Sequence, residues 1–581
     1  MIRPHGRLPR LAALFASAAI VAAACTPAAS TAPSGAATQV PQQTGAGSAA
    51  PVEARYPVDG DAPCGDAAYS GNLKSITAPD PMTVVFTMCN PDVAFLQKVA
   101  FSVFAINDSG WIEEHAPDGS IKDLLNGTGP YKLDQWNKGT ELTYSAFENY
   151  WNDEFPLVPN AVLRWSAESG ARLQALQSGD VTGITLVGTA DFDTVRDDAS
   201  LQLSLPPEGE NLNTFYVGFN HNIEPWDDVN VRKAVALAVD RQRLVDLFYP
   251  DGSEIATHFT PCAIEFACEG DEWFETGTDA AREEARSLLE AAGVGDLETT
   301  IQYRNVFRGY LPQPPLVAQD LAEQLAEVGI TATVEEQESG AFIGAANAGE
   351  LEGIFLLGWG ADYPEVTNFM DYHFGSGATS AFGDPYPELS APLSQGNSTV
   401  DDAARATAYE TANNALQEVV PMLPVAHGAF ANAWLAGASG GLISPISNEV
   451  LWAVQPPEGD QVVLMQNAEP IGLYCADETD GESLRACEQS MEGLYGYAPG
   501  TADVEPALAT ECTPNDDASV WTCALREGVT FHDGSTFEAE DVITSYAVQW
   551  DASHELHLGN TGAFEYWPGL WGGFLNPPPA S

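Results

Sequence analysis

Apolar and polar positions along this chain follow two periods that take turns. "LTYSAFENYW" (142–151) and "NTFYVGFN" (213–220) are rich in aromatic and β-branched residues and read as strands. "VNVRKAVALAVDRQRLVDLF" (229–248), "TDAAREEARSLLEAAG" (278–293) and "PPLVAQDLAEQLAEVG" (314–329) carry apolar residues at helical spacing. Gly329 stops the last of these, and "ITATVEEQ" (330–337) follows as a strand. Far down the chain, "LREGVTFHDG" (525–534) reads as a strand ending in an Asp533-Gly534 turn. "STFEAEDVITSY" (535–546), with Glu538 and Asp541 at its start, then reads as an amphipathic helix. Strands and helices alternate without a long internal repeat, which is an α/β pattern.

Length and charge narrow the picture. A chain of 581 residues is too long for one core and divides into two or three lobes. With 45% apolar residues it is globular. The 82 acidic against 23 basic residues give a net charge of −59. Such a surface repels nucleic acid and anionic lipid, and the acidic excess serves solubility. The N-terminus begins with Arg3, Arg7 and Arg10, continues as the short apolar run "LAALFASAAIVAAA", and reaches Cys25. This reads as a secretory signal over residues 1–25, too short and Ala-rich to span a membrane. "VAAAC" resembles a bacterial lipobox, implying a diacylated Cys25, the alternative being an ordinary signal that contains a cysteine. Residues 26–55, Ala/Thr/Ser/Pro/Gly-rich, lack any apolar face and read as a disordered tether.

Eight further cysteines suit disulfides in a secreted chain. Cys512 and Cys523 flank an Asn515-Asp-Asp turn between two strands, which sets the sulfurs opposite each other. Cys64–Cys89, Cys262–Cys268 and Cys475–Cys487 are paired by proximity in sequence alone. No CxxC spacing occurs, and neither a metal nor a cofactor is expected.

Six segments together resemble one family, the extracytoplasmic solute-binding proteins of ABC importers of the peptide/nickel type (solute-binding family 5). They are "GTGPYKLDQWNKGTELTYSAFENYW" (127–151), "ARLQALQSGDVTGI" (171–184), "FYVGFNHNIEPWDDVNVRKAVALAVDR" (215–241), "VAQDLAEQLAEVGI" (317–330), "GWGADYPEVTNF" (358–369) and "LREGVTFHDGSTFEAEDVITSY" (525–546). One thing departs from the family pattern. The last segment, with "DQVVLMQNAEP" (460–470) and "SMEGLYGY" (490–497) before it, comes early in the family and late here. "TVVFTMCNPDVAFLQKVAF" (83–101) and "GTGPYK", which follow it in the family, precede it. Each piece occurs once, so the order looks circularly permuted, with new ends in a surface loop.

The resemblance implies a bilobed α/β fold of periplasmic-binding-protein type II, cluster C-like, with an extra small subdomain. One lobe with that subdomain takes 56–214 and 429–581, the other 223–423. Crossings near Phe215–Asn222 and Leu423–Gly428 act as hinges. It implies no enzyme but a monomeric, lipid-anchored receptor outside the cytoplasmic membrane, delivering short peptides to permease subunits. An oligosaccharide or metal chelate is the alternative ligand, and a secreted hydrolase the distant third reading.

For the site, the resemblance points to Asp362 in "GWGADYPE" as the partner of a peptide's α-ammonium, with Trp359 as a pocket wall. Arg308 in "RGYLPQPP" takes the role of carboxylate anchor, with Tyr310 beside it. Guanidinium suits that task through bidentate pairing. Asp362 as a helix N-cap and Arg308 in a surface ion pair stay open. Other motifs are declined. Gly437-Ala-Ser439-Gly-Gly441 has the hydrolase-elbow spacing, but an extended run follows it. His554 and His557 lack zinc spacing and read as surface residues, and His532 reads as part of a structural turn. Gly127–Lys132 is no phosphate loop, since Pro130 removes a donor. Arg232, Lys233, Arg241 and Arg243 read as the solvated face of a helix.

Overall fold

The computed structural model describes residues 54–577, apart from 67, 208, 376 and 377. The signal segment, Cys25 and the tether up to residue 53 lie outside the described residues. The folded part starts slightly earlier than expected: the strand Ala54–Tyr56 pairs antiparallel with Leu73–Asp80. Among the described residues no helix is long and apolar enough to cross a membrane.

Three larger sheets organise the chain. A five-stranded antiparallel sheet runs in the order Ala54–Tyr56, Leu73–Asp80, Thr83–Met88, Val520–Leu525, Ala509–Pro514. Val520–Leu525 turns Trp521, Cys523 and Leu525 inward and leaves Thr522 and Ala524 exposed, the alternation of a half-buried strand. Cys512 stands directly opposite Cys523 in register, and the two are joined, as are Cys64–Cys89, Cys262–Cys268 and Cys475–Cys487.

The helix Ala539–Trp550 follows, started by a reciprocal capping box between Glu538 and Asp541. Its Tyr546 and Trp550 enter an aromatic core shared with Phe86, Phe104, Trp567 and Trp571. A seven-stranded sheet has the order Tyr131–Asn137, Glu141–Ala146, Asn160–Trp165, Gln461–Gln466, Gly183–Ile184, Asn432–Leu435, Leu201–Ser204. The late segment Gln461–Gln466 thus lies parallel between two early ones.

The six-stranded sheet belongs to a separate core drawn only from residues 212–426. Its order is Glu254–Ile255, Met422–His427, Asn213–Gly218, Ile354–Gly360, Leu297–Arg304, Ile330–Gln337. The expected crossing segments fall largely on its strands Asn213–Gly218 and Met422–His427. The chain therefore passes between sheets just outside them, between Ser204 and Asn213 and between His427 and Asn432. There the two passages are tied together. Asn213 Nδ2 donates to Gly428 O at 2.8 Å and Gly428 N to Asn213 Oδ1 at 2.9 Å.

The predicted helix 229–248 is two, Val229–Ala238 and Arg241–Phe248, because the Asp240 side chain accepts from Arg243 N and starts a second one. Of the expected solvated face, Arg243 is exposed and Lys233 half-exposed, but two arginines depart from that reading. Arg232 and Arg241 are buried, 4% and 7% exposed. Arg232 donates to the carbonyls of Val419, Val420 and Trp226, the first two at the end of the helix Asp402–Val419. Arg241 donates to Ala256 O and Pro424 O.

Candidate ligand-binding site

Trp359 lies at the carboxyl end of the strand Ile354–Gly360 and Asp362 follows it, while Arg308 and Tyr310 follow the parallel strand Leu297–Arg304; the two strands pair through Ile301↔Ile354 and Gln302↔Phe355. The carboxyl edge is where open α/β sheets present loops to ligands. Gly358 is required here by close approach. A Cβ on it would lie 2.4 Å from Tyr310 Cδ2 and 2.5 Å from Thr214 O, so the Tyr310 ring rests on bare backbone. The next residue, Trp359, stacks on Tyr372 with ring centres 3.9 Å apart.

Asn368, fully buried in the helix Val366–Phe374, joins Trp359 to Asp362. Its Oδ1 accepts from Trp359 Nε1 at 3.1 Å and from Asp362 N at 3.0 Å, while its Nδ2 donates to Asp362 Oδ2 at 3.0 Å. The other carboxylate oxygen, Asp362 Oδ1, accepts from Tyr566 OH at 3.1 Å. Tyr566 packs on the core that holds the five-stranded sheet, so residues of both cores grip one carboxylate. The Tyr497 hydroxyl, from the same side, lies 3.5 Å from Asp362 O.

Burial pushes the Asp362 carboxyl up to about 6, against the pull of the Asn368 and Tyr566 hydrogen bonds. An ionised carboxylate offers about four acceptor positions, and two are used here, so it keeps acceptor capacity that an ammonium could use. The helix that follows is capped by Glu365, whose side chain accepts from Thr367 N, so Asp362 is not the N-cap.

The second candidate group sits on the loop after Leu297–Arg304. Arg308 and Leu311 bridge their backbones into a tight turn. Tyr249 OH donates to Tyr310 O at 2.7 Å, and Gly309 lies against Phe430 beside the passage between sheets. Arg308 Nη1 donates to Phe307 O at 3.1 Å, and among the described residues its guanidinium makes no ion pair. Among the described residues the surface-pair alternative for Arg308 is therefore not formed. Asn368, Tyr372 and Tyr566 went unnoticed in the sequence. Asn368 was within reach, six residues past Asp362 in the helix that follows it, but Tyr566 carries no local signal.

Ser439 lies in the exposed two-residue strand Ser439–Gly440, with no helix after it to make an elbow. His532 Nε2 donates to Gly129 O at 2.9 Å, and burial pulls its titration down to about 4. His554 and His557 are half-buried rather than on the surface; the His557 ring packs on Phe564 at 4.4 Å. Among the described residues one trio, His258 with Cys262 and Cys268, brings possible metal-ligand atoms within 4.8 Å of one another. Its two sulfurs are already bonded together.

Comparison with known proteins agrees with the geometry. The family described as "Bacterial extracellular solute-binding proteins, family 5 Middle" matches residues 41–381 and 503–562. The "Di/tripeptide-binding protein 1" of Pseudomonas aeruginosa is 28% identical over 374 residues, 62% of this chain and 67% of that protein. A "Dipeptide-binding protein" of the same species is 27% identical over 401 residues, 67% and 73% of the two chains. Among solved structures, the periplasmic binding protein DppA of Helicobacter pylori in complex with the peptide STSA superposes with a TM-score of 0.57. It is 20% identical over 67% of this chain and 75% of that one.

Proposed function

The chain belongs to the bacterial extracellular solute-binding proteins of family 5, with their bilobed type II fold, and on that premise we propose that it captures short peptides between its lobes and delivers them to an ABC permease. It is a binding protein, not an enzyme, and works outside the cytoplasm. In this reading Asp362 takes the peptide's α-ammonium, Trp359 and Tyr310 wall the pocket, and Arg308 takes the carboxylate.

The observation that carries the proposal is the Asp362 carboxylate held from both sides, by Asn368 at 3.0 Å and Tyr566 at 3.1 Å. A ligand ammonium added there gains from both lobes at once, so binding favours the closed arrangement. The neighbouring passages, cross-tied at Asn213 and Gly428, serve as the hinge. The printed names of the curated relatives support peptides as the ligand. Cys25 supplies a diacyl anchor, with the tether spacing a monomeric receptor from the membrane.

We also read the chain order as circularly permuted relative to the family. The insertion of Gln461–Gln466 beside Asn160–Trp165, and of Val520–Leu525 beside Thr83–Met88, supports that reading. Spatial neighbours are kept and only the connections change.

The test is to purify the mature protein gently, denature it, and identify what it releases by mass spectrometry. Micromolar binding, about −8 kcal/mol, is tight enough for ligand to travel with the protein. A set of short peptides supports the proposal. A sugar or metal chelate keeps the fold and removes the roles of Asp362 and Arg308.

A further inference from the structure

Arg308 is not the lone unpaired cation near the site. Arg304, at the carboxyl end of its strand, donates from Nη2 to Tyr310 OH at 3.3 Å and from Nη1 to Ser339 Oγ at 3.1 Å. Neither it nor Arg308 faces a carboxylate among the described residues. Other arginines are committed: Arg164, Arg405 and Arg485 hold carboxylates, and Arg172, Arg232 and Arg241 are enclosed by backbone carbonyls. In a chain with 82 acidic and 23 basic residues, two guanidiniums without acidic partners four residues apart need a reason.

Position supplies one. The Tyr310 ring that Arg304 touches lies on Gly358, directly before Trp359, so Arg304 adjoins the pocket wall. Arg304 spends donors on two hydroxyls and has others left over. At long range the −59 charge opposes an anionic ligand, but in physiological salt that field decays within about 8 Å. Closer in, local groups set the sign, and Arg304, bonded to Tyr310 OH, is one of them.

Building on the peptide reading, we propose that this end of the cleft takes two negative charges from one residue. Arg308 holds the C-terminal carboxylate and Arg304 an acidic side chain, so preferred ligands are short peptides ending in Asp or Glu. Titration calorimetry with the dipeptides Ala-Glu, Ala-Ala and Ala-Lys tests it on the mature protein. Ala-Glu should bind about tenfold tighter than Ala-Ala, as one charge-assisted hydrogen-bonded contact allows, and Ala-Lys weakest. Arg304→Gln should bring the Ala-Glu to Ala-Ala ratio to about one, and Arg304→Lys should retain part of it. Should the Gln variant not fold, judged by circular dichroism, the wild-type ratio and the Lys variant decide. Equal binding of Ala-Glu and Ala-Ala, or a preference untouched by either variant, overturns the inference alone. Failure of all three dipeptides to bind removes the peptide reading and the inference together.

Discussion

Replacing Asp362 by Asn separates anchoring from structural support, because the two roles predict opposite signs. In the free protein the carboxylate is costly: burial lifts its titration from 3.8 to about 6. That displacement of about two units corresponds to roughly 1–3 kcal/mol of unfavourable charge at pH 8, before discounting for partial exposure. Asn removes the charge and still reaches Asn368 and Tyr566, so the free variant should melt at the same temperature or on the order of a degree higher.

Ligand binding should move the other way. Truncating one partner of a buried, hydrogen-bonded charge pair costs about 2–5 kcal/mol, and Asn can no longer oppose an ammonium. The dissociation constant for a bound dipeptide should rise by roughly 30-fold or more. Scanning calorimetry and titration calorimetry on the same preparation read both quantities. Affinity within threefold of wild type would remove Asp362 as the anchor. A melting point lower by several degrees would make it a brace for Tyr566, with binding lost as a consequence of misfolding.

Because the pair needs an ionised Asp362 and a charged peptide ammonium, peptide affinity should be full near pH 7 and fall about tenfold per unit below 6; a flat profile down to pH 4.5 contradicts the assignment. Burial holds the carboxyls of Asp371, Glu478 and Glu488 up at about 7, about 8 and about 7, above an unfolded value of about 4. The stability they give is whole at low pH and is lost as pH rises through 7 to 8. The free protein should therefore melt higher at pH 5.5 than at pH 8.5, and a melting point that climbs with pH refutes this. Gly358→Ala puts a methyl 2.4 Å from the Tyr310 ring and 2.5 Å from a backbone oxygen that cannot yield. It should cost about 1–3 kcal/mol of stability and weaken peptide binding, and unchanged affinity would take Tyr310 out of the pocket. Arg485→Ala strands Glu449, 2% exposed and paired with Arg485 Nη2 at 2.6 Å, and should cost about 3–5 kcal/mol by urea unfolding.

Sequence periodicity carried the fold a long way where a segment's own backbone decides. The strand pair around the Asn515 turn, the stop at Gly329 and the Glu538–Asp541 helix start appear as expected, whereas the strand expected over 525–534 ends at Leu525 and the rest is turn. It failed where a distant group decides. Helical spacing runs on through Val239 and Asp240, and only the capping of Arg243 N by Asp240 divides the helix. Arg232 and Arg241 look like solvent cations in a linear pattern, yet they satisfy carbonyls more than a hundred residues away, at Val419 and Pro424.

The site divides along the same line. Asp362, Trp359, Arg308 and Tyr310 stand in recognisable local contexts, and the structure brings Trp359 and Asp362 onto Asn368 and Tyr310 onto Gly358. Tyr566, which completes the grip on Asp362, lies 204 residues further on, beyond reach of any local pattern. A carboxylate gripped by two cores depends on adjacency in space, and adjacency leaves no periodic mark. The same physics makes chain order secondary. Val520–Leu525 pairs with Thr83–Met88 because Trp521 and Phe86 share a buried face, whichever is made first. A cleft built from such contacts keeps its chemistry when the connections are rewired, provided the two passages beside Asn213 and Gly428 still run together.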